Sequence, residues 1–300
     1  MSSADANDSD SDVDFINVDF DFQAPIETDY RALKRLFQQL FYTHAPDMDL
    51  GIFSDWIITL GSQGVGTVIK ADDAEEVRDP YAVISAIDLY PGNDAPAAQL
   101  MQGYLKKQLS RAPAGRPLLQ LLEQASASAP ILYIMHERMI NMPVPIMPPL
   151  LRFILDETQN ARTSGKPTHA LFFSRAFSAD ALEEEDDQPT GLAGARKRKA
   201  AGAHAHPDDA AAAALGKPVA RKQQRGGTEA VGDNYGSFRP EDEFIMEFAT
   251  HAHTYRFPPP RDTPLGYEPP LFGRVLAVPY ARLPQLIERI EAEWPAPGTQ

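Results

Sequence analysis

The chain has 300 residues, 43% of them hydrophobic and 23% charged, enough to build one good-sized folded domain with extensions attached. It contains no cysteine, which excludes disulfides, thiolate catalysis, iron–sulfur clusters and cysteine-based zinc sites and suits a reducing compartment. With 28 basic against 42 acidic side chains the formal charge is −14, so phosphate is repelled; direct nucleic-acid binding is not expected, and a basic protein is the natural charged partner.

Residues 1–23 read as an acidic, disordered arm. Asp5, Asp8, Asp10, Asp12, Asp14, Asp19 and Asp21 occur there without a single Lys or Arg, half of the total charge. Met1–Asp14 lacks the apolar core of a secretory signal, and nowhere do 18 apolar residues run together. A soluble, intracellular chain without a membrane span is therefore expected. The arm ends in alternating Asp and Phe, which suits a sheet edge or a partner's groove; the alternative is a solvated tail whose last turn packs on the body.

Apolar spacing then predicts helices over 28–42 (Tyr30, Leu33, Phe37, Leu40, Phe41) and 49–60. Strands are expected at 65–70 and 82–89, helices at 97–109 and 117–125, and a short buried strand at 131–135. A helix over 149–162 and a strand at 169–173 follow. After an interruption come a helix at 240–249, extended chain at 251–257, a strand at 274–278 and an amphipathic helix at 283–294. Strands alternating with helices argue for one layered α/β domain with a single mixed sheet flanked by helices, spanning 24–179 and 237–295. The interruption, 180–236, runs from Glu183–Asp187 through Arg196-Lys197-Arg198-Lys199 and an alanine tract to Arg221–Arg225. It has almost no large apolar residues and reads as a disordered insertion.

Chemical motifs are sparse. Gly61–Gly66 precedes a strand, whereas a phosphate-cradling loop follows a strand and opens a helix. His251 and His253 share one strand face, but no third metal ligand is signalled nearby. Arg196–Lys199 has the look of a nuclear-import signal, with an ordinary solvated charge run as the alternative. No catalytic constellation emerges, and neither a cofactor nor a metal is expected.

Val18–Pro25, Gln63–Lys70, Asp79–Ala82, Glu137–Pro143, Pro148–Leu150 and Phe238–Glu243 together, in this order, resemble the BCCIP family, whose fungal members are called BCP proteins. The resemblance implies a nuclear, non-enzymatic escort that shuttles to the cytoplasm. It would protect a large-subunit ribosomal protein, support nuclear export and ribosome assembly, and deal with a lipid kinase and nuclear transport receptors. It also implies a fold similar to the GNAT acetyltransferases, without known acetyl-coenzyme A binding. The pyrophosphate signature of those enzymes is broken here, because Gln63-x-x-Gly66 is followed by Thr67-Val68. An acyl-CoA-dependent acetyltransferase of GNAT type stays as the alternative function. On the escort reading the seven aspartates of the arm contact the client. Apolar contact is assigned to Phe20 and Phe22 and to Met142 and Met147 of the Met-Pro-rich stretch 139–149, for which an ordinary strand–turn–helix connection is the competing explanation.

Overall fold

The computed structural model describes residues 20–71, 79–161, 165–178, 235–260 and 270–295. Asp5, Asp8, Asp10, Asp12, Asp14 and Asp19, and the basic run Arg196–Lys199, lie outside the described residues.

Strand β1 (Phe20–Gln23) leads into helices α1 (Tyr30–Phe41) and α2 (Leu50–Ser62). Strands β2 (Thr67–Ala71) and β3 (Ala82–Leu89) are followed by α3 (Pro96–Leu109) and α4 (Arg116–Gln124). Next come β4 (Ile131–Arg138), α5 (Met147–Ala161) and β5 (His169–Ser178). The chain closes with β6 (Tyr235–Ser237), α6 (Glu241–Phe248), β7 (His251–Arg256), β8 (Leu271–Pro279) and α7 (Leu283–Glu293). Among the described residues no helix is long and apolar enough to cross a membrane.

The eight strands form one mixed sheet in the order β1-β2-β3-β4-β5-β8-β7, with β6 paired to β5. Every pairing is antiparallel except β4 with β5, whose strands are joined through α5. Side chains alternate across the pleat. Ile131, Tyr133 and Met135 of β4 face a core shared with α1, α2, α3 and α4. Leu132 and Ile134 face a second core with α5, α6 and α7. A sheet apolar on both faces must be covered on both, and this three-layer arrangement does so. A buried pair, Asp29 to Lys70 Nζ at 2.6 Å, ties the start of α1 to β2.

The described elements follow the expected ones closely, with instructive departures. β4 continues three residues past Met135 and β5 five residues past Phe173, through charged and polar positions. Two strands lie in stretches read as outside the fold. Phe20–Gln23 pairs with Ala71–Val68, so these four residues of the expected arm belong to the sheet. Tyr235 and Gly236, read as the end of the insertion, belong to β6, where Tyr235 pairs with Ser178. Ser178 and Tyr235, which flank residues 179–234, are therefore paired neighbours in the sheet.

The registers also set which segments share an end of the sheet. Phe20 pairs with Ala71, Ala82 with Arg138, Phe177 with both Leu271 and Gly236, and Arg256 with Phe272. The attachment points of residues 1–19, 72–78, 179–234 and 261–269 are thereby all at one end, together with the turn after β4.

Candidate functional site

At that end the sheet opens between β4 and β5. β4 and β5 are paired only from Ile131–His169 to Ile134–Phe172 and separate beyond it. β6 takes the edge of β5 that β4 vacates, and the Phe238 N–H extends the ladder to the Arg175 carbonyl at 3.0 Å. Gly236 permits this approach, since a Cβ there would fall 2.3 Å from the Phe177 ring. Arg239 fills the apex of the wedge. Its Nη1 donates to the His136 carbonyl (3.0 Å), its Nη2 to the Phe173 carbonyl (3.3 Å) and its Nε to Asp242 Oδ2 (3.1 Å). One guanidinium thus satisfies backbone oxygens on both diverging strands, which burial would otherwise leave without partners.

Around it lies a set of buried ions. Arg138 grips Glu241 with two parallel hydrogen bonds of 3.0 and 2.9 Å and donates a third to the Met142 carbonyl at 2.7 Å. Glu137 accepts from Gln39 Nε2 at 3.1 Å and lies 3.7 Å from both Arg175 and Arg239. Arg175 also sits 4.3 Å above the Phe238 ring. Arg274 fastens β6 by donating to Ser237 Oγ (2.8 Å) and to the Tyr235 carbonyl (3.2 Å).

Burial, reinforced by Glu241 and opposed by Arg239, pushes the Asp242 carboxyl up to about 6. Burial also works against ionised Glu241, but Arg138 outweighs it and holds that carboxyl below its ordinary value. His136 is driven well below its ordinary value by burial and then by Arg239 and Arg138, so its ring is neutral. Three guanidinium groups, Arg138, Arg175 and Arg239, therefore face three carboxyl groups, Glu137, Glu241 and Asp242, which hold one another in place. Such a lattice locks geometry, since breaking any one pair strands a buried charge.

Two further polar groupings are likewise consumed internally. The turn between α2 and β2 carries Gly66 at φ +114°, where a Cβ would also press on Ser85 Oγ at 3.1 Å. The Gly66 N–H and Thr67 Oγ1 both donate to Glu157 of α5, at 2.7 and 2.8 Å. A carboxylate of the chain itself thus occupies the donors that an anion would use. Deep in the first core, Tyr104 Oη lies 2.6 Å from Tyr255 Oη and 3.1 Å from His44 Nδ1. Burial raises both tyrosines and lowers His44, leaving all three neutral. Among the described residues no group of three or more His, Cys, Asp or Glu side chains is placed to hold a metal ion.

The structure sorts the contact residues expected from sequence. Asp21 is exposed on β1, while Phe20 and Phe22 are half-buried against the second core. Met142 and Met147 are only 6% and 1% exposed and belong to that core, so they present no binding surface. Both point inward because the turn after β4 and the first turn of α5 close over the sheet. The exposed apolar residues of this stretch are Met139 and Ile140 (59% exposed), with Phe153 on α5 at 41%. The buried lattice was missed as a unit. Its signal was present in charges that interrupt two apolar strands and in Arg239-Pro240-Glu241-Asp242, stretches that also carry the family resemblance.

The fold and its closed polar interior define an α/β domain with one mixed sheet whose interior charges are spent on its own architecture. The chain belongs to the BCCIP family, whose profile matches residues 15–245. Protein BCP1 of Mycosarcoma maydis is 42% identical over 324 aligned residues, covering 99% of this chain and 96% of that protein. Protein bcp1 of Schizosaccharomyces pombe is 34% identical over 206 residues, 66% of this chain and 71% of that protein. The crystal structure of BCP1 from Saccharomyces cerevisiae superposes with a TM-score of 0.55 at 18% identity, covering 95% of this chain and 93% of the other, a likeness of fold.

Proposed function

We propose that this protein is a nuclear escort for basic client proteins, a large-subunit ribosomal protein being the client class, and that it supports nuclear export and ribosome assembly. A lipid kinase and nuclear transport receptors are further partners on this reading. Entry to the nucleus is assigned to Arg196–Lys199 and return to the cytoplasm to shuttling. The observation that carries the proposal is where the charge lies along the sequence. Residues 1–19 hold six aspartates and no base; 72–78 hold Asp72, Asp73, Glu75 and Glu76 against Arg78. With 179–234 and 261–269, the four segments attached at one end of the sheet account for −12 of the net −14. The described domain itself is nearly neutral.

Such an excess of negative charge attracts a basic client and is screened or displaced by salt or RNA afterwards. Exposed charge pairs are individually weak, so lifetime must come from apolar contact, and Met139 and Ile140 are exposed at this end. The acetyltransferase alternative needs room for the extended arm and diphosphate of an acyl-coenzyme A. Two features count against it: the opening between β4 and β5 holds β6 and Arg239, and the Gly66 amide is taken by Glu157.

The test sets the two functions side by side with the full chain. Stopped-flow mixing with a basic large-subunit ribosomal protein at two salt concentrations should show fast, salt-sensitive association. Calorimetry with acetyl-coenzyme A should show no heat of binding. Deleting residues 1–12 removes Asp5, Asp8, Asp10 and Asp12 and should slow association and flatten its salt dependence while changing dissociation little. Saturable heat with acetyl-coenzyme A and no capture of the ribosomal protein would replace the escort reading with the enzymatic one.

A further inference from the structure

We infer that the open edge of β1 is the client's docking site, and that it takes an extended segment of alternating basic and apolar residues as an added strand. The inference rests on the escort reading and specifies its contact. β1 is a terminal strand of the sheet, bonded to β2 alone among the described residues. A terminal strand presents backbone N–H and C=O groups along its free side, a template for another chain. β7, the strand at the opposite border, has α4 packed against it.

The two faces of β1 state what the added strand must look like. Phe20 and Phe22 turn toward the α5 face, where the Phe22 ring meets the Phe153 ring edge-on at 5.5 Å. Phe153 is 41% exposed there, so part of an aromatic surface is left uncovered beside the edge. Asp21 turns to the other face and is exposed; the structure gives it a hydrogen bond from Gln23 Nε2 at 2.7 Å, also an exposed side chain. Its register partner Lys70 is committed to buried Asp29 and does not neutralise it. A strand laid along β1 alternates in the same way, placing apolar side chains beside Phe22 and Phe153 and the intervening ones beside Asp21. The intervening side chains are therefore basic.

Charge also selects against the other occupant an open edge invites. A second copy of β1 would bring Asp21 close to its own counterpart, and like charges across a strand pair are destabilising. Edges are commonly protected by lysines; this one carries Asp, which repels its own kind and attracts a basic segment.

The probe is the peptide Lys-Val-Arg-Val-Lys-Val-Arg, capped at both ends and labelled for fluorescence anisotropy, with the full-length protein as receptor. N-methylating alternate residues removes hydrogen bonds from one edge of the peptide while keeping every charge. One methylated set should bind about tenfold more weakly and the other nearly as well as the parent. Asp21→Lys and Phe153→Ala, both at exposed positions, should each weaken binding about threefold to tenfold while leaving the melting temperature in place. Hydrogen exchange at residues 20–23 should slow when the peptide is added. Equal affinity for both methylated sets, or unchanged affinity in both variants, overturns the added strand and leaves the escort function standing. So does capture of the ribosomal protein without binding of the peptide. If neither ribosomal protein nor peptide binds, the escort reading fails and the docking site with it.

Discussion

Replacing Arg239 by methionine tests whether the wedge between β4 and β5 is held by its ions. The side chain is buried, and its loss removes donors from the His136 and Phe173 carbonyls and from Asp242 at once. Breaking a buried pair from one side costs about 3–5 kcal/mol, because the remaining charge is left uncompensated. At pH 8 the unfolding free energy should therefore fall by about 4 kcal/mol, a large share of a typical domain's total. The deficit should shrink with acid. Asp242 already has its carboxyl pushed up to about 6 in the folded protein, and removing Arg239 removes an attraction that favours its ionised form. The folded variant thus takes up a proton at higher pH than the folded parent and recovers stability, relative to the parent, as pH drops from 8 toward 5.5. Replacing both partners, Arg239→Met with Asp242→Leu, should restore much of the loss, since no orphan charge remains. Urea unfolding of the three proteins at pH 8.0 and 5.5 measures all of this. A single-variant deficit under about 1 kcal/mol at pH 8, or one that does not change with pH, would refute the lattice as the clamp of the wedge.

His136 supplies a pH signature of opposite origin. Its folded pKa lies well below 6.5, so below that pH the unfolded chain gains a proton that the folded one does not, and the parent loses about 1.4 kcal/mol of stability per pH unit from this group. His136→Leu should therefore gain on the parent as pH falls from 7 to 5 in chemical denaturation; a constant difference would mean the ring titrates normally. Surface and core residues of stretch 139–149 should separate as well. Met147→Ala should cost about 2–5 kcal/mol by leaving a cavity, whereas Ile140→Ser should stay within about 0.5 kcal/mol and instead shorten the lifetime of the client complex. Thermal melts paired with dissociation kinetics distinguish the two, and equal melting shifts would remove the distinction.

Periodicity by itself determined the helices and the apolar halves of the strands. Leu33, Phe37 and Leu40 recur at helical spacing, and six of the eight residues of Ala82–Leu89 are apolar, so local pattern and final burial agree. Composition determined where most of the negative charge lies along the chain. What tertiary structure decided is where pattern and burial part company. Glu137 and Arg138 look like a strand's polar exit, and Arg175 like a break, yet all are buried: Arg239 and Glu241, far along the chain, pair with Glu137 and Arg138, and Glu137 also faces Arg175. The alternating Asp and Phe of β1 suit a sheet edge, whereas three residues of β6 are too few to register against their surroundings in sequence; both are strands because β2 and β5 offer free edges. Likewise Met142 and Met147 read as an adaptable surface until the packing of α5 on the sheet buries them and leaves Ile140 and Phe153 outside. Charge neutralisation over long sequence separations and the completion of sheet edges are three-dimensional facts, and a local pattern carries no trace of the partner that makes them favourable.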